Sequence, residues 1–226
     1  MVRLPWTISN QENTYHRSQP ETATRPIIRA LESVRLGTDM TAIVAIHGAW
    51  SGPVSFNYLR SAVHARWTAV HYDPLSANID SILDRVTTDI REPCWLVGHS
   101  LGGIVALRLH DHPMVQGIVT IASPLAGLRL NLMQKVMSLS GILAEIATDS
   151  RCIRTMHAAT YVKPVQHLIA TVGFNPFIYE PNDGVLPLKS QTGWSCGPVA
   201  EIATNHYEIM LHEHTAAELA QVLVTS

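Results

Sequence analysis

Four short apolar runs, each rich in Val and Ile, constrain this chain most: Ala42 to Ile46, Thr68 to Tyr72, Cys94 to Val97 and Gly117 to Ala122. Their starts lie 26, 26 and 23 residues apart. That spacing is too long for a hairpin and leaves room for one crossover helix, so the runs predict buried parallel strands. The segments between them supply the helices. Ile79, Ile82, Leu83, Val86 and Ile90 fall on one helical face, and Pro93 stops it. Phe56, Leu59 and Val63 make a weaker stripe in the first crossover, while Ile104, Val105 and Leu109 mark a third helix. Leu168 to Val172 and Val199 to Ala203 read as two further strands, and Thr215 with Glu218 as a capping box that opens a last helix through Leu223.

Residues 1–37 are expected to form a leading arm, polar through residue 25, with a short helix or a strand and turn over 26–37. A single α/β domain is expected over 38–226. Within it the stretch 125–165 is far longer than a crossover needs. Its helical stripe of Leu132, Val136, Leu139, Leu143 and Ile146 predicts a helical cap insertion, packed down as core or standing over a site.

Composition removes several classes of partner. Lys+Arg 16 against Asp+Glu 18 leaves a formal net charge of -2, which is no footprint for a nucleic acid. Cys94, Cys152 and Cys196 are odd in number and far apart, so reduced thiols are expected rather than a disulfide framework or a zinc ribbon. No secretory signal and no transmembrane segment are read from the sequence, and the expectation is a soluble cytoplasmic protein of open oligomeric state. His110 with His112, and His212 with His214, are spaced i, i+2 and diverge on a helix without a third ligand nearby. Neither a metal nor a cofactor is expected.

The stretch carrying chemistry is Gly98-His99-Ser100-Leu101-Gly102-Gly103, a serine with glycines at minus two and plus two, between a buried strand and a helix. A turn that tight strains the serine backbone, and only small neighbours let strand and helix close around it. A serine hydroxyl attacks a carbonyl only with a base, an orienting acid and a site for the oxyanion. His47-Gly48-Ala49-Trp50 ends the first strand, and its glycine lets a backbone amide turn inward. The N–H groups of Ala49 and Leu101 are the candidate oxyanion hole, with His47 a structural neighbour.

These segments resemble the α/β-hydrolase superfamily, and within it the lipase and esterase branch, over about residues 40–226. Ser123-Pro124-Leu125-Ala126-Gly127 is similar to a segment common in that branch. The resemblance implies an α/β-hydrolase fold with a mostly parallel central sheet. The front of the chain departs from it, since too few residues precede the first strand for the antiparallel opening strands, so about six strands are expected. The superfamily order of Ser, acid and His implies Asp183, in Asn182-Asp183-Gly184-Val185-Leu186-Pro187, as the acid, with Asp149 and Glu180 as rivals. His206, directly after the last strand, is the expected base. The implied activity is two-step hydrolysis of a carboxylic ester or lipid by Ser100, Asp183 and His206. A thioester, amide or polyester substrate, or an inert site in a binding protein, is the alternative. Trp50, Leu125, Leu132 and Val136 are the expected apolar walls of the substrate site.

Overall fold

The computed structural model describes residues 40–73, 77–129 and 141–225. Six strands, β1 (Ala42–Ile46), β2 (Arg66–Ala69), β3 (Cys94–His99), β4 (Val115–Ile121), β5 (Val165–Ala170) and β6 (Val199–Ile202), form one sheet in the order β2-β1-β3-β4-β5-β6. Every pairing is parallel. The described residues also form seven α-helices: α1 (Asn57–Ala62), α2 (Ile79–Asp89), α3 (Leu101–Arg108), α4 (Gly141–Glu145), α5 (Arg151–Ala158), α6 (Leu188–Thr192) and α7 (Glu213–Val224).

Strand side chains alternate between two cores, as a pleat of period two requires. Ala42, Val44 and Ile46 of β1 join Ile82 and Val86 of α2, Ile104 and Leu107 of α3, and Ile153 and Met156 of α5. Ile43 and Ala45 point the other way, onto Phe56, Leu59 and the α7 residues Ala216, Leu219 and Ala220. Both faces are covered, and this is why the central strands read as unbroken apolar runs.

Three strands start earlier than the hydrophobic pattern places them, β4 by two residues at Val115. β2 begins at Arg66 and ends at Ala69, because an edge strand of alternating exposure tolerates Arg66 and Trp67, while Val70 and Tyr72 are buried beyond the sheet. β5 begins at Val165 and carries the polar pair Gln166 and His167 inside it. His167 is fully buried between strands: its Nδ1 lies 2.8 Å from Thr120 Oγ1 on β4, and its Nε2 accepts from the Cys196 amide at 3.3 Å. The last helix also starts early, at Glu213, with the His212 ring accepting from the His214 amide at 3.2 Å as its cap. Thr215, expected to be the cap, is instead buried within that helix.

In the insertion, α4 and α5 form part of the core layer: Ile142, Ile146, Ile153 and Met156 are all buried against the α3 face. Residues 1–39 and 130–140 lie outside the described residues, and with them the arm and the Leu132, Val136 and Leu139 part of the stripe.

Burial holds the pKa of His167 down at about 4, against 6.5 for a free histidine. The unfolded chain therefore binds more protons between those values, and the stabilisation from neutral His167, full above pH 6.5, is lost as pH falls toward 4. The loss across that window is roughly 3 kcal/mol from this residue alone. Thermal melts are expected to show Tm falling steeply from pH 6.5 to 4 and less steeply in His167→Gln; parallel curves for the two proteins would refute the assignment.

Candidate active site

The sheet delivers Ser100 to its C-terminal edge on a strained turn. Ser100 has φ 54° and ψ -119°, and Ala122 is the other described non-glycine residue with positive φ. Such a conformation costs about 1–3 kcal/mol and persists where its surroundings enforce it. Here they do, since the Ser100 amide donates to Ile121 O at 2.8 Å and the Gly103 amide donates to Ser100 O at 3.1 Å. The flanking glycines are required by contact. A Cβ on Gly98 would stand 2.2 Å from Gly102 O, and one on Gly102 would stand 2.0 Å from Ile46 O. Ser100 is thereby the N-cap residue of α3, with the first amide of that helix, Leu101, beside it.

The turn after β1 packs against this elbow. A Cβ added to Gly48 would come within 3.0 Å of Ser100 Cβ, so the His47-Gly48-Ala49 backbone runs alongside the serine. The Gly48 amide donates to Ser51 Oγ at 2.9 Å, which holds the turn. His47 is buried, stacked on Tyr72 with ring centroids 4.0 Å apart, and its carbonyl accepts from the Tyr72 hydroxyl. Burial lowers its pKa. Ala49 is buried, whereas Trp50 next to it is 59% exposed.

Asp183 and His206 meet on the same edge. His206 Nδ1 lies 2.6 Å from Asp183 Oδ2, and the His206 amide donates to Asp183 O at 2.9 Å. Both side chains are almost wholly buried. Burying a carboxylate is costly unless its oxygens are satisfied. Oδ1 accepts from the amides of Val185 at 2.9 Å and Leu186 at 2.6 Å, and Oδ2 accepts a second bond from Gln191 Nε2 at 2.9 Å. The rivals stand elsewhere: Asp149 is exposed ahead of α5, and Glu180 pairs with Lys189 at 3.7 Å.

His99 links the elbow to this pair. It is buried, its Nε2 lies 3.0 Å from His206 O, and the two rings are 5.0 Å apart. Burial, with the neighbouring His206 next in size, pushes its pKa down to about 3, so the ring is neutral and Nε2–H donates to the His206 carbonyl. The residue next to Ser100 thus anchors the main chain of His206.

Of the expected substrate walls, Trp50 is open to solvent on the turn after β1. Leu125 is 1% exposed and packs into the α3-side core, so it offers no open surface to a ligand. Leu132 and Val136 lie outside the described residues. Sequence reasoning missed Gln191, which sits in the polar run Lys189-Ser190-Gln191-Thr192, where nothing distinguishes a buried amide from solvated neighbours. It also missed Phe174, Phe177 and Tyr179, which stand 78% or more exposed on the chain between β5 and Asp183.

Residues 53–166, half of the chain, match the family described as PGAP1-like alpha/beta domain. The chain belongs to this family. The matched segment of this PGAP1-like domain includes Ser100 and ends before Asp183 and His206. No curated protein matches it in sequence. Its fold is that of the α/β-hydrolases. It superposes on a lipase from Bacillus licheniformis with TM-score 0.61 at 12% identity, covering 83% of this chain and 93% of the lipase. A lipase-esterase related protein from Clostridium acetobutylicum gives TM-score 0.59 at 12% identity, with 83% and 95% covered. An N-formylmaleamic acid deformylase from Pseudomonas putida gives 0.54 at 13% identity, with 81% and 92% covered. No helix among the described residues of the PGAP1-like domain is long and apolar enough to cross a membrane.

Proposed function

We propose that this chain is a serine hydrolase of carboxylic esters working by two-step acyl transfer. The observation carrying the reading is the buried Asp183–His206 pair, 2.6 Å apart, tied through His99 to a serine held on a strained strand-to-helix turn. His206 takes the Ser100 hydroxyl proton as Oγ adds to the ester carbonyl. The amides of Ala49 and Leu101 receive the oxyanion, a contribution of roughly 10²–10³ in rate for each donor. Asp183 holds the proton on Nδ1, keeps Nε2 free to act as base, and stabilises the imidazolium. Collapse of the adduct expels the alcohol, which takes its proton from His206. His206 then deprotonates a water that attacks the acyl-enzyme, releases the acid and returns the proton to Ser100.

The favoured substrate is an ester with an apolar acyl group, because Trp50, Phe174, Phe177 and Tyr179 present exposed apolar surface on the turns carrying the candidate oxyanion site and acid. The structural neighbours named lipase and lipase-esterase fit that choice, and the neighbour named deformylase makes an amide the comparison substrate.

The purified chain is expected to react with a fluorophosphonate at one residue, Ser100, and to hydrolyse p-nitrophenyl esters with preference for longer acyl chains over the matching amides and thioesters. Absence of labelling would sink the hydrolase reading. A sharp optimum at acetyl would overturn the apolar acyl group alone.

A further inference from the structure

Gln191 is 1% exposed and stands on α6, the helix that directly follows the acid loop. Its amide makes three hydrogen bonds to two partners. Oε1 accepts from the Ala170 amide at 3.1 Å, and Nε2 donates to Ala170 O at 3.1 Å and to Asp183 Oδ2 at 2.9 Å. Ala170 is the last residue of β5. The side chain therefore pairs with both main-chain groups of a strand end and spends its remaining N–H on the carboxylate.

The orientation of this amide is determined by its partners. Turned over, Oε1 would face two acceptors, Ala170 O and Asp183 Oδ2, and Nε2 would face the Ala170 N–H. Only one arrangement satisfies all three contacts, and in it a hydrogen points at the same oxygen that receives His206 Nδ1. We propose that Gln191 is a positioning residue of the hydrolytic site: anchored on β5, it orients Asp183 toward His206 and, by sharing Oδ2, limits how strongly that oxygen binds the imidazole N–H. The proposal rests on the serine-hydrolase reading above. A neutral amide suits this task, because it adds a donor without cancelling the charge that stabilises an imidazolium.

Among the described residues, the titratable side chains in ring contact with His206 are His99, which itself interacts with His47, and Tyr207. Burial holds both neighbouring histidines low, His99 at about 3.

The test uses the full chain with Gln191→Met and Gln191→Glu. Loss of the donor in Gln191→Met leaves more charge on Oδ2. The acid limb of kcat/KM against pH is expected to move up by ~0.5–1 pH unit. In the same variant kcat falls by about tenfold with KM within about twofold, since orientation rather than binding is lost. The His206 Nδ1 proton, read by NMR with labelled histidine, moves further downfield without any need for turnover. In Gln191→Glu a new descending limb is expected where the introduced carboxyl group ionises, because two carboxylates then face each other in a buried site. A folded variant with an unmoved limb and an unmoved proton resonance, changed only in Tm, would overturn the proposal, as would failure of both variants to fold. Failure of the hydrolase reading gives a different result, a wild type that no fluorophosphonate labels.

Discussion

Replacing Ser100 with alanine is expected to lower kcat/KM for any ester the wild type cleaves by at least about 10⁴-fold, with the fold preserved. The size follows from the proposed mechanism: without Oγ no acyl-enzyme would form, and what remains is the background available to bound water from the candidate oxyanion donors, the amides of Ala49 and Leu101. Preservation of the fold follows from geometry. The φ of 54° at Ser100 is imposed by hydrogen bonds of its own amide and carbonyl, and alanine keeps both. Ser100→Gly separates strain from chemistry, since glycine adopts positive φ freely and should gain about 1 kcal/mol of stability while losing the same activity. Kinetics with one p-nitrophenyl ester and a denaturant melt of each variant decide the matter. Ester turnover surviving in Ser100→Ala would remove Ser100 as nucleophile.

The largest effect on stability is expected at Gly102, where Gly102→Ala should cost at least about 3 kcal/mol. The added methyl would lie 2.0 Å from Ile46 O and 2.8 Å from His47 O, both main-chain atoms of the central sheet and its turn, so no side chain can swing away. Helix α3 would have to lift from β1, opening the core and carrying the Leu101 amide off the serine. For a domain of this size the Tm should fall by about 6–12 °C, and the remaining activity with it. Gly52→Ala is the control, because a Cβ there meets nothing within 4 Å, and its Tm should stay within a degree or two. Equal melting of the two variants would mean that the elbow is looser than its contacts indicate.

The fold was most legible where burial was complete. β1 and β3 are buried along their whole length, so apolar runs alone marked them. Legibility failed where a polar side chain is satisfied inside the sheet, as His167 is by Thr120 and Cys196, or where an edge strand alternates in exposure, as at Arg66 and Trp67. Periodicity records polarity, and it has no way to record a partner 47 residues away. At the candidate site the elbow was readable because its chemistry is local, glycine at fixed offsets from serine. The meeting of Asp183 with His206 came from chain order implied by resemblance, and the structure brings the two together. Gln191, His99 as an anchor for His206 and the exposed aromatics near Asp183 depend on tertiary placement, which no spacing encodes. Leu125 shows the opposite case, an apolar residue after β4 that packs into the core.

The parallel pairing of all six strands also bears on how the chain reaches its native state. Ala42 pairs with Arg66 on one side and Cys94 on the other, and Ile118 waits for Val165, so no hairpin can form early and template the rest. Chains built from such distant pairings fold slowly, because loop entropy is lost before any contact compensates. During synthesis the elbow strand can pair with β1 and β4 well before β5 and β6 emerge. Until those two strands dock, the open edge of β4 exposes main-chain donors and acceptors beside Val119 and Ile121, a template for wrong partners. Chaperone demand and aggregation in expression should therefore respond most to changes in β5 and β6, the last two strands of the sheet to arrive.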